Sequence, residues 1–216
     1  MEYLILNLLA KFDWINTIQT ENAKTINYFH KLLDSYHTIS IIGTAKNAGK
    51  TTVLNKIIDE YKNECIAITS VGLDGEKIDN VTYKEKPRIK AYNKMYVATA
   101  LNCLEESTIG YVIHENTGIR TPLGEIVIVE VIAEGLVLVA GPSTKLQMIK
   151  VIERLKKYNP EKVLVDGALY RKSIASTVVA DGIIVSTGAS LNSNINKVVE
   201  ETKWLIDQLL INSTKS

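Results

Sequence analysis

The chain is short of several things. It has two cysteines, four prolines and only four arginines, Arg88, Arg120, Arg154 and Arg171. Cys65 and Cys103 lie on apolar segments, apart from any histidine, with no Cys-X-X-Cys spacing. That excludes a disulfide framework and a zinc ribbon, and the thiols are expected to be buried and reduced. There is no excess of either charge, the net value being +1. A surface that tracks nucleic-acid phosphates normally shows a basic surplus, so nucleic acid is not an expected partner. No apolar run reaches the length of a membrane span. The opening "MEYLILNLLAKF" carries Glu2 where a secretion signal has basic residues, and no small-residue cleavage site follows. A cytoplasmic, soluble protein is the expectation. The three histidines, His30, His37 and His114, are scattered and suggest no metal or catalytic set.

What is present suits one sizeable domain. A chain of 216 residues with 46% hydrophobic residues can bury a core without staples. Residues 1–36 read as helical: apolar positions in "YLILNLLAKFDWI" recur at three and four, and Ile26, Phe29, Leu32 and Leu33 share a helix face. These helices are expected to pack on the domain formed by residues 37–216, or else to dock on a partner chain. Then "HTISIIGT" reads as a buried strand, "TTVLNKIIDEYKN" as a helix and "ECIAITSVG" as a second buried strand. The stretch from Leu73 to Ile89 is polar and reads as a long loop. "MYVATALNCL" suggests a strand leading into a helix. "GYVIHENTGI" and "GEIVIVEVIAEGLVLVAG" suggest an antiparallel hairpin with its turn at Glu134-Gly135. "PSTKLQMIKVIERLKKYN" is a helix entered through Pro142 and Ser143, "KVLVDGA" and "DGIIVSTGA" are strands, and the chain closes in an amphipathic helix. Strands alternating with helices predict an α/β domain, a three-layer sandwich around a mostly parallel sheet with an added antiparallel hairpin.

One junction carries chemistry. "SIIGTAKNAGKTTVLN" leaves a buried strand, turns at Gly49 and enters a helix. A phosphate-binding loop needs that context: backbone N–H groups converging on a helix N-terminus, glycine for close approach, a lysine for the terminal phosphates and a hydroxyl for Mg²⁺. The residues of the cradle are Thr44, Lys46, Asn47, Ala48, Gly49, Lys50, Thr51 and Thr52. Lys50 would hold the β- and γ-phosphates, Thr51 the metal, and Thr52 the α-phosphate. The common spacing has glycine where Thr44 stands, and Gly43 comes one position early. Lys46 is either a phosphate contact or a solvated loop lysine. Some P-loop ATPases carry a lysine one position earlier that reaches phosphates across a homodimer.

A phosphate loop needs a carboxylate at the end of a buried strand for its metal. Asp166 in "VLVDGA" has that place. Asp74, after the second strand in "TSVGLDGEK", would orient a water or hold the metal through one; turn chemistry explains it equally well. Glu76 is a weaker candidate, and Gly72 and Gly75 give that segment freedom to move with nucleotide state. Arg171 and Lys172 follow Asp166 and would reach phosphate or an acidic partner, or else form a solvated loop pair; Ser186 to Ala189 end the last strand, where related folds read the nucleotide base, with Asn192 and Asn194 nearby. Ligands of open α/β sheets bind at such strand ends.

Together, "SIIGTAKNAGKTTVLN", "TSVGLDGE", "KPRI", "TPLGEIVIVEV", "VAGPS", "VLVDGA" with "RKSIAS", and "STGA" resemble the reactivase subunit associated with lysine 5,6-aminomutase, a P-loop NTPase. The resemblance runs from Thr38 to Ala189, and Lys46-Asn47-Ala48 within the loop is its most specific part. It implies a Mg²⁺-dependent ATPase that acts with a MutS-like ATPase subunit on an adenosylcobalamin- and pyridoxal-phosphate-dependent aminomutase, loosening it so that damaged cobalamin exchanges. Leu73 to Ile89 would be its switch segment. Two other readings remain open at this level. One is an ATP-dependent kinase or ligase of the dethiobiotin synthetase type, with Arg88, Arg120 and "NTGIRTPLGE" as acceptor anchors. The other is a nucleotide-binding scaffold that does not hydrolyse, as the departure at Thr44 allows.

Overall fold

A computed structural model describes residues 3–7, 28–71, 88–167 and 180–213. Its ten strands are β1 (Tyr3–Asn7), β2 (Thr38–Gly43), β3 (Ile66–Ser70), β4 (Ile89–Ala91), β5 (Tyr96–Ala100), β6 (Gly110–Thr121), β7 (Gly124–Ala133), β8 (Gly135–Val137), β9 (Lys162–Asp166) and β10 (Gly182–Thr187). The helices, numbered in chain order among the described residues, are α1 (Tyr28–Leu33), α2 (Lys50–Glu60), α3 (Leu101–Glu105), α4 (Lys145–Lys156) and α5 (Ile195–Ser213).

Eight strands form one sheet in the order β1-β10-β2-β9-β3-β5-β7-β6. From β1 to β5 every neighbouring pair is parallel; β7 is antiparallel to β5, and β6 to β7. The strands β2 and β3 at the centre are buried along their whole length, with small hydroxyl residues such as Ser40 and Thr69 among the aliphatic ones, because both faces are covered. One face carries α1 and α2: Leu54, Ile57 and Ile58 of α2 pack with Ile39, Ile41, Leu164 and Ile184. The other carries α4 and α5: Met148, Val151, Ile152 and Leu155 pack with Ala67, Val163 and Val165, and Leu209 packs with Ile42, Ile183 and Val185. The architecture is therefore α/β with helices on both faces of a mostly parallel sheet.

Two expectations are corrected. The opening apolar stretch is not helical where it is described. Tyr3 to Asn7 form β1, in parallel register with β10 from Tyr3 opposite Ile183 to Asn7 opposite Thr187. A short apolar run satisfies helix and strand templates alike, and here the unpaired backbone edge of β10 decides. The helix expected before the first buried strand does form, as α1, with Phe29 and Leu33 buried. The hairpin exists but turns elsewhere. β6 and β7 meet at Pro122-Leu123, where the Thr121 hydroxyl donates to the Gly124 carbonyl at 2.8 Å and accepts from the Leu123 N–H. At Glu134-Gly135 the chain leaves the large sheet for β8, which pairs with β4 in a second, two-stranded antiparallel sheet. Gly135 serves a close approach there: a Cβ would lie 2.7 Å from the Thr108 carbonyl oxygen.

A tighter approach occurs where the chain leaves β8. A Cβ on Gly141 would stand 2.0 Å from the carbonyl oxygen of Ser70, a backbone atom at the end of β3. Gly141→Ala is expected to cost about 3 kcal/mol, since neither backbone can yield without breaking the sheet. A thermal melt checks this, and a Tm unchanged from the parent would contradict it.

The helix that follows β2, α2, is tied to β4 and the residue after it. Asp59 of α2 accepts from the Tyr92 hydroxyl at 2.7 Å and from the Lys90 ammonium at 3.0 Å, and Asn55 accepts the Lys90 N–H. Burial pushes the Asp59 carboxyl up, but the Tyr92 phenol and the Lys90 ammonium outweigh it and hold the carboxyl below its ordinary value. Hydrogen bonding to Asp59, with burial, pushes the Tyr92 phenol up to about 12. A carboxyl depressed on folding stabilises the native state above its unfolded pKa. That contribution is lost as pH falls through the folded value. Stability should therefore drop as pH goes below about 4, and Asp59→Asn should remove part of that drop. Parallel denaturation curves at pH 7 and pH 3 test this; equal pH dependence in both proteins would contradict it.

Candidate functional site: the loop at the carboxyl end of β2

β2 lies at the point where the chain path divides. Its continuation through α2 reaches β3 on one side, beyond β9, while β10 lies on the other. Ligands of open parallel sheets bind at the carboxyl ends of strands at such a point. Residues Thr44 to Gly49 form the loop there.

The loop is built from tight local conformations. Asn47 has φ 63° and Gly49 has φ 89°, both left-handed, and the Ala48 N–H donates to the Ala45 carbonyl at 3.2 Å. Asn tolerates that region through its short polar side chain, and glycine enters it without steric cost. α2 then begins, and its first intrahelical bond runs from the Val53 N–H to the Gly49 carbonyl. The N–H groups of Lys50, Thr51 and Thr52 thus have no partner within the helix. No side chain caps this end and no acidic residue sits in the first turn, so the helix dipole there is uncompensated. This is the electrostatic condition for holding an anion.

The charged groups converge. Asp166 is the last residue of β9, level with Ile41 of β2 and Ser70 of β3. The Lys50 ammonium donates to the Asp166 carboxylate, joining the start of α2 to the end of the neighbouring strand. Their side chains are 25% and 15% exposed, so the pair is sheltered but open to a ligand. The Asp166 carbonyl accepts the Val71 N–H, and the Gly167 N–H bonds back to Ile41, which fixes the end of β9 against both neighbours. Thr51 is partly exposed in the first turn of α2, Thr52 is exposed, and Lys46 and Asn47 lie on the exposed rim. The oxygen donors expected for a metal, the Thr51 hydroxyl and the Asp166 carboxylate, are hard ligands of the kind Mg²⁺ takes. Asp166 already draws a cation, the ammonium of Lys50, to its carboxylate.

Other expected residues fall elsewhere. Asp74, Glu76, Gly72, Gly75, Arg171 and Lys172 lie outside the described residues, as does most of the proposed switch segment. Arg120 lies on β6, five strands from β2 in the sheet order, about 24 Å at the usual strand spacing, and pairs with Glu125 of β7. It is not brought to Lys50. Asn194 caps α5 by accepting the Asn196 N–H at 2.9 Å, and Asn192 accepts the Asn194 N–H. Each histidine has its own neighbourhood. His30 stacks on Tyr61 at 3.9 Å, His37 contacts the Pro160 carbonyl and His114 contacts Glu130. Among the described residues no group of His, Cys, Asp and Glu is arranged for a metal, and no helix is long and apolar enough to cross a membrane.

Thr44 is explained by its contacts. It is buried, its N–H donates to the Ser186 carbonyl at 2.9 Å, and its hydroxyl donates to Thr187 Oγ1 at 3.1 Å. A glycine there would lack the second anchor. Ser186 and Thr187, expected beside a nucleotide base, have buried side chains that face the loop instead. Two hydroxyls end an otherwise aliphatic strand, "IIVST", but the same residue types also serve as caps and turns, so the pattern alone does not announce this inward role.

Comparison of the chain with protein-family models, with curated proteins and with solved structures finds no match in any of the three.

Proposed function

We propose that the chain is a P-loop NTPase that binds and hydrolyses ATP with Mg²⁺. The observation that supports this best is the pairing of Lys50 and Asp166 across the mouth of a loop that turns through Asn47 and Gly49 into an uncapped helix. A lysine and a carboxylate in that relation suit a site that takes a polyphosphate and a divalent cation at once. Lys50 would hold the phosphates, and the Asp166 carboxylate with the Thr51 hydroxyl would hold the cation. When bound, Mg²⁺ would neutralise charge on the β- and γ-phosphate oxygens. The chain's own contribution is to grip the phosphates with loop and helix N–H groups and with Lys50, and to hold Asp166 at fixed depth between β2 and β3. Asp74 is assigned the orientation of the attacking water.

For the biological role we propose a reactivating factor for an adenosylcobalamin-dependent aminomutase, working with a MutS-like ATPase subunit. This rests on the resemblance of the loop and the later segments, above all Lys46-Asn47-Ala48. The kinase or ligase reading has less support, since Arg120 lies far along the sheet from Lys50. The test is ATP turnover by the chain with an aminomutase carrying inactivated cobalamin and its MutS-like subunit. Stimulated turnover with exchange of the cobalamin is expected. Stimulation by a small acceptor instead, with none from the mutase, would contradict the role while keeping the nucleotide site.

A further inference from the structure

The loop is held by more than its own turns. β10 grips it at both ends. At the entry, the Thr44 N–H donates to the Ser186 carbonyl and the Thr44 hydroxyl donates to Thr187 Oγ1 at 3.1 Å. At the exit, the Ser186 hydroxyl donates to the Ala48 carbonyl at 2.6 Å. Thr187 Oγ1 continues the series to Thr202 Oγ1 of α5 at 2.9 Å. All four side chains are sheltered: Thr44, Ser186, Thr187 and Thr202 are 4%, 0%, 1% and 6% exposed.

We propose that Ser186, Thr187 and Thr202 are positioning residues of the phosphate loop, and that through them α5 regulates how tightly the loop holds its nucleotide. This rests on the nucleotide reading given above. The chemistry of the contacts supports it. A carbonyl and the N–H that follows it in a trans peptide point in opposite directions. By accepting from Ser186, the Ala48 carbonyl is turned toward β10, and the Gly49 N–H is therefore turned away from it. Without that bond the peptide is free to rotate and present a carbonyl oxygen to an anion, which repels it. A hydroxyl has one proton and two lone pairs. Thr187 accepts from Thr44 and still has its own proton for Thr202. The three hydroxyls thus form one continuous series from the loop to the helix, inside a region where an unmade bond is costly. A loop fixed before the ligand arrives loses less freedom on binding, so the series raises affinity through preorganisation. A displacement of α5 that breaks the Thr187–Thr202 bond would loosen the loop from a distance.

The experiment measures MgATP affinity and thermal stability for the full chain and five variants. Thr187→Val removes the hydroxyl at nearly constant volume, and Ser186→Ala frees the Ala48 carbonyl. Each is expected to weaken MgATP binding roughly 10-fold. Thr187→Ser restores the hydroxyl and should bind within about twofold of the parent. Thr202→Val, at the helix end of the series, should give a smaller loss, roughly threefold, and serves if the β10 variants fail to fold. Thr99→Val is the control: its buried hydroxyl donates to the Leu138 carbonyl and accepts the Ala140 N–H on β5, with no contact to the loop. It should lower the Tm and leave MgATP affinity unchanged. If the parent binds MgATP and the β10 and α5 variants bind equally well, or if Thr99→Val weakens binding as much as they do, the positioning role is overturned and the nucleotide site stands. A folded parent that binds no nucleotide overturns both.

Discussion

Lys50→Ala should lose at least about 100-fold in ATP affinity while remaining folded. Lys50 stands at the first position of α2, after the loop, with its ammonium on the Asp166 carboxylate. It is no part of the apolar face formed by Val53, Leu54, Ile57 and Ile58, so its loss leaves no cavity. What would be lost is the charge assigned to the terminal phosphates, in a sheltered site where truncation of one charged partner costs about 2–5 kcal/mol. Asp166 is left without its ammonium, which adds a carboxylate that repels the incoming phosphates. The effect on folding should be limited. Lys50 and Asp166 are 25% and 15% exposed, so leaving the carboxylate without its partner should cost about 1–3 kcal/mol, which lowers the Tm by several degrees and leaves the chain folded. Titration with ATP beside a thermal melt separates the two effects. Unchanged affinity in a folded Lys50→Ala protein would remove Lys50 from the site.

Asp166→Asn should act in the opposite sense on one quantity. In the parent, ATP and Mg²⁺ are expected to strengthen each other's binding, because the phosphates take Lys50 from Asp166 and the cation then takes the carboxylate. Such coupling is reciprocal. Removing the carboxylate charge frees Lys50 and removes a repulsion, so ATP without Mg²⁺ should bind as well as before or better. The added strength from Mg²⁺ should vanish, and turnover should fall on the order of 100-fold, since charge on the transferring phosphoryl group is no longer offset. Titrations with and without Mg²⁺, and single-turnover hydrolysis, measure both. A variant that keeps the Mg²⁺ effect would exclude Asp166 as a metal ligand.

The parts of this architecture that were legible in the sequence are those where local pattern and tertiary context agree. "TISIIG", "IAITS" and "KVLVD" are short aliphatic runs followed by glycine or a polar break, and they became the central strands β2, β3 and β9. Lys50 and Asp166 were each legible as candidates because each follows or ends such a run, but their pairing was not, since nothing in the spacing said that β9 lies beside β2. Where a segment's partner decides its state, the pattern misled. Tyr3 to Asn7 have helix-compatible spacing, but the open edge of β10 makes them a strand. Glu134-Gly135 has the composition of a turn, but Gly135 is required by the closeness of Thr108, and the real hairpin turn uses Thr121 as its hydroxyl clasp. Thr44 read as a defect of the loop; its buried bonds to β10 appear only when strands distant in sequence are placed side by side. Hydroxyls at strand ends carry little sequence signal, because the same residues serve as caps and turns.

The most direct test of a phosphate loop between β2 and α2 is equilibrium binding of ATP and of GTP to the purified, folded chain, each with and without Mg²⁺. Saturable ATP binding, strengthened by Mg²⁺, is the expected result. A folded chain that binds neither nucleotide under either condition would contradict it, leaving Lys50 and Asp166 as a structural ion pair and the loop as a strand-to-helix turn.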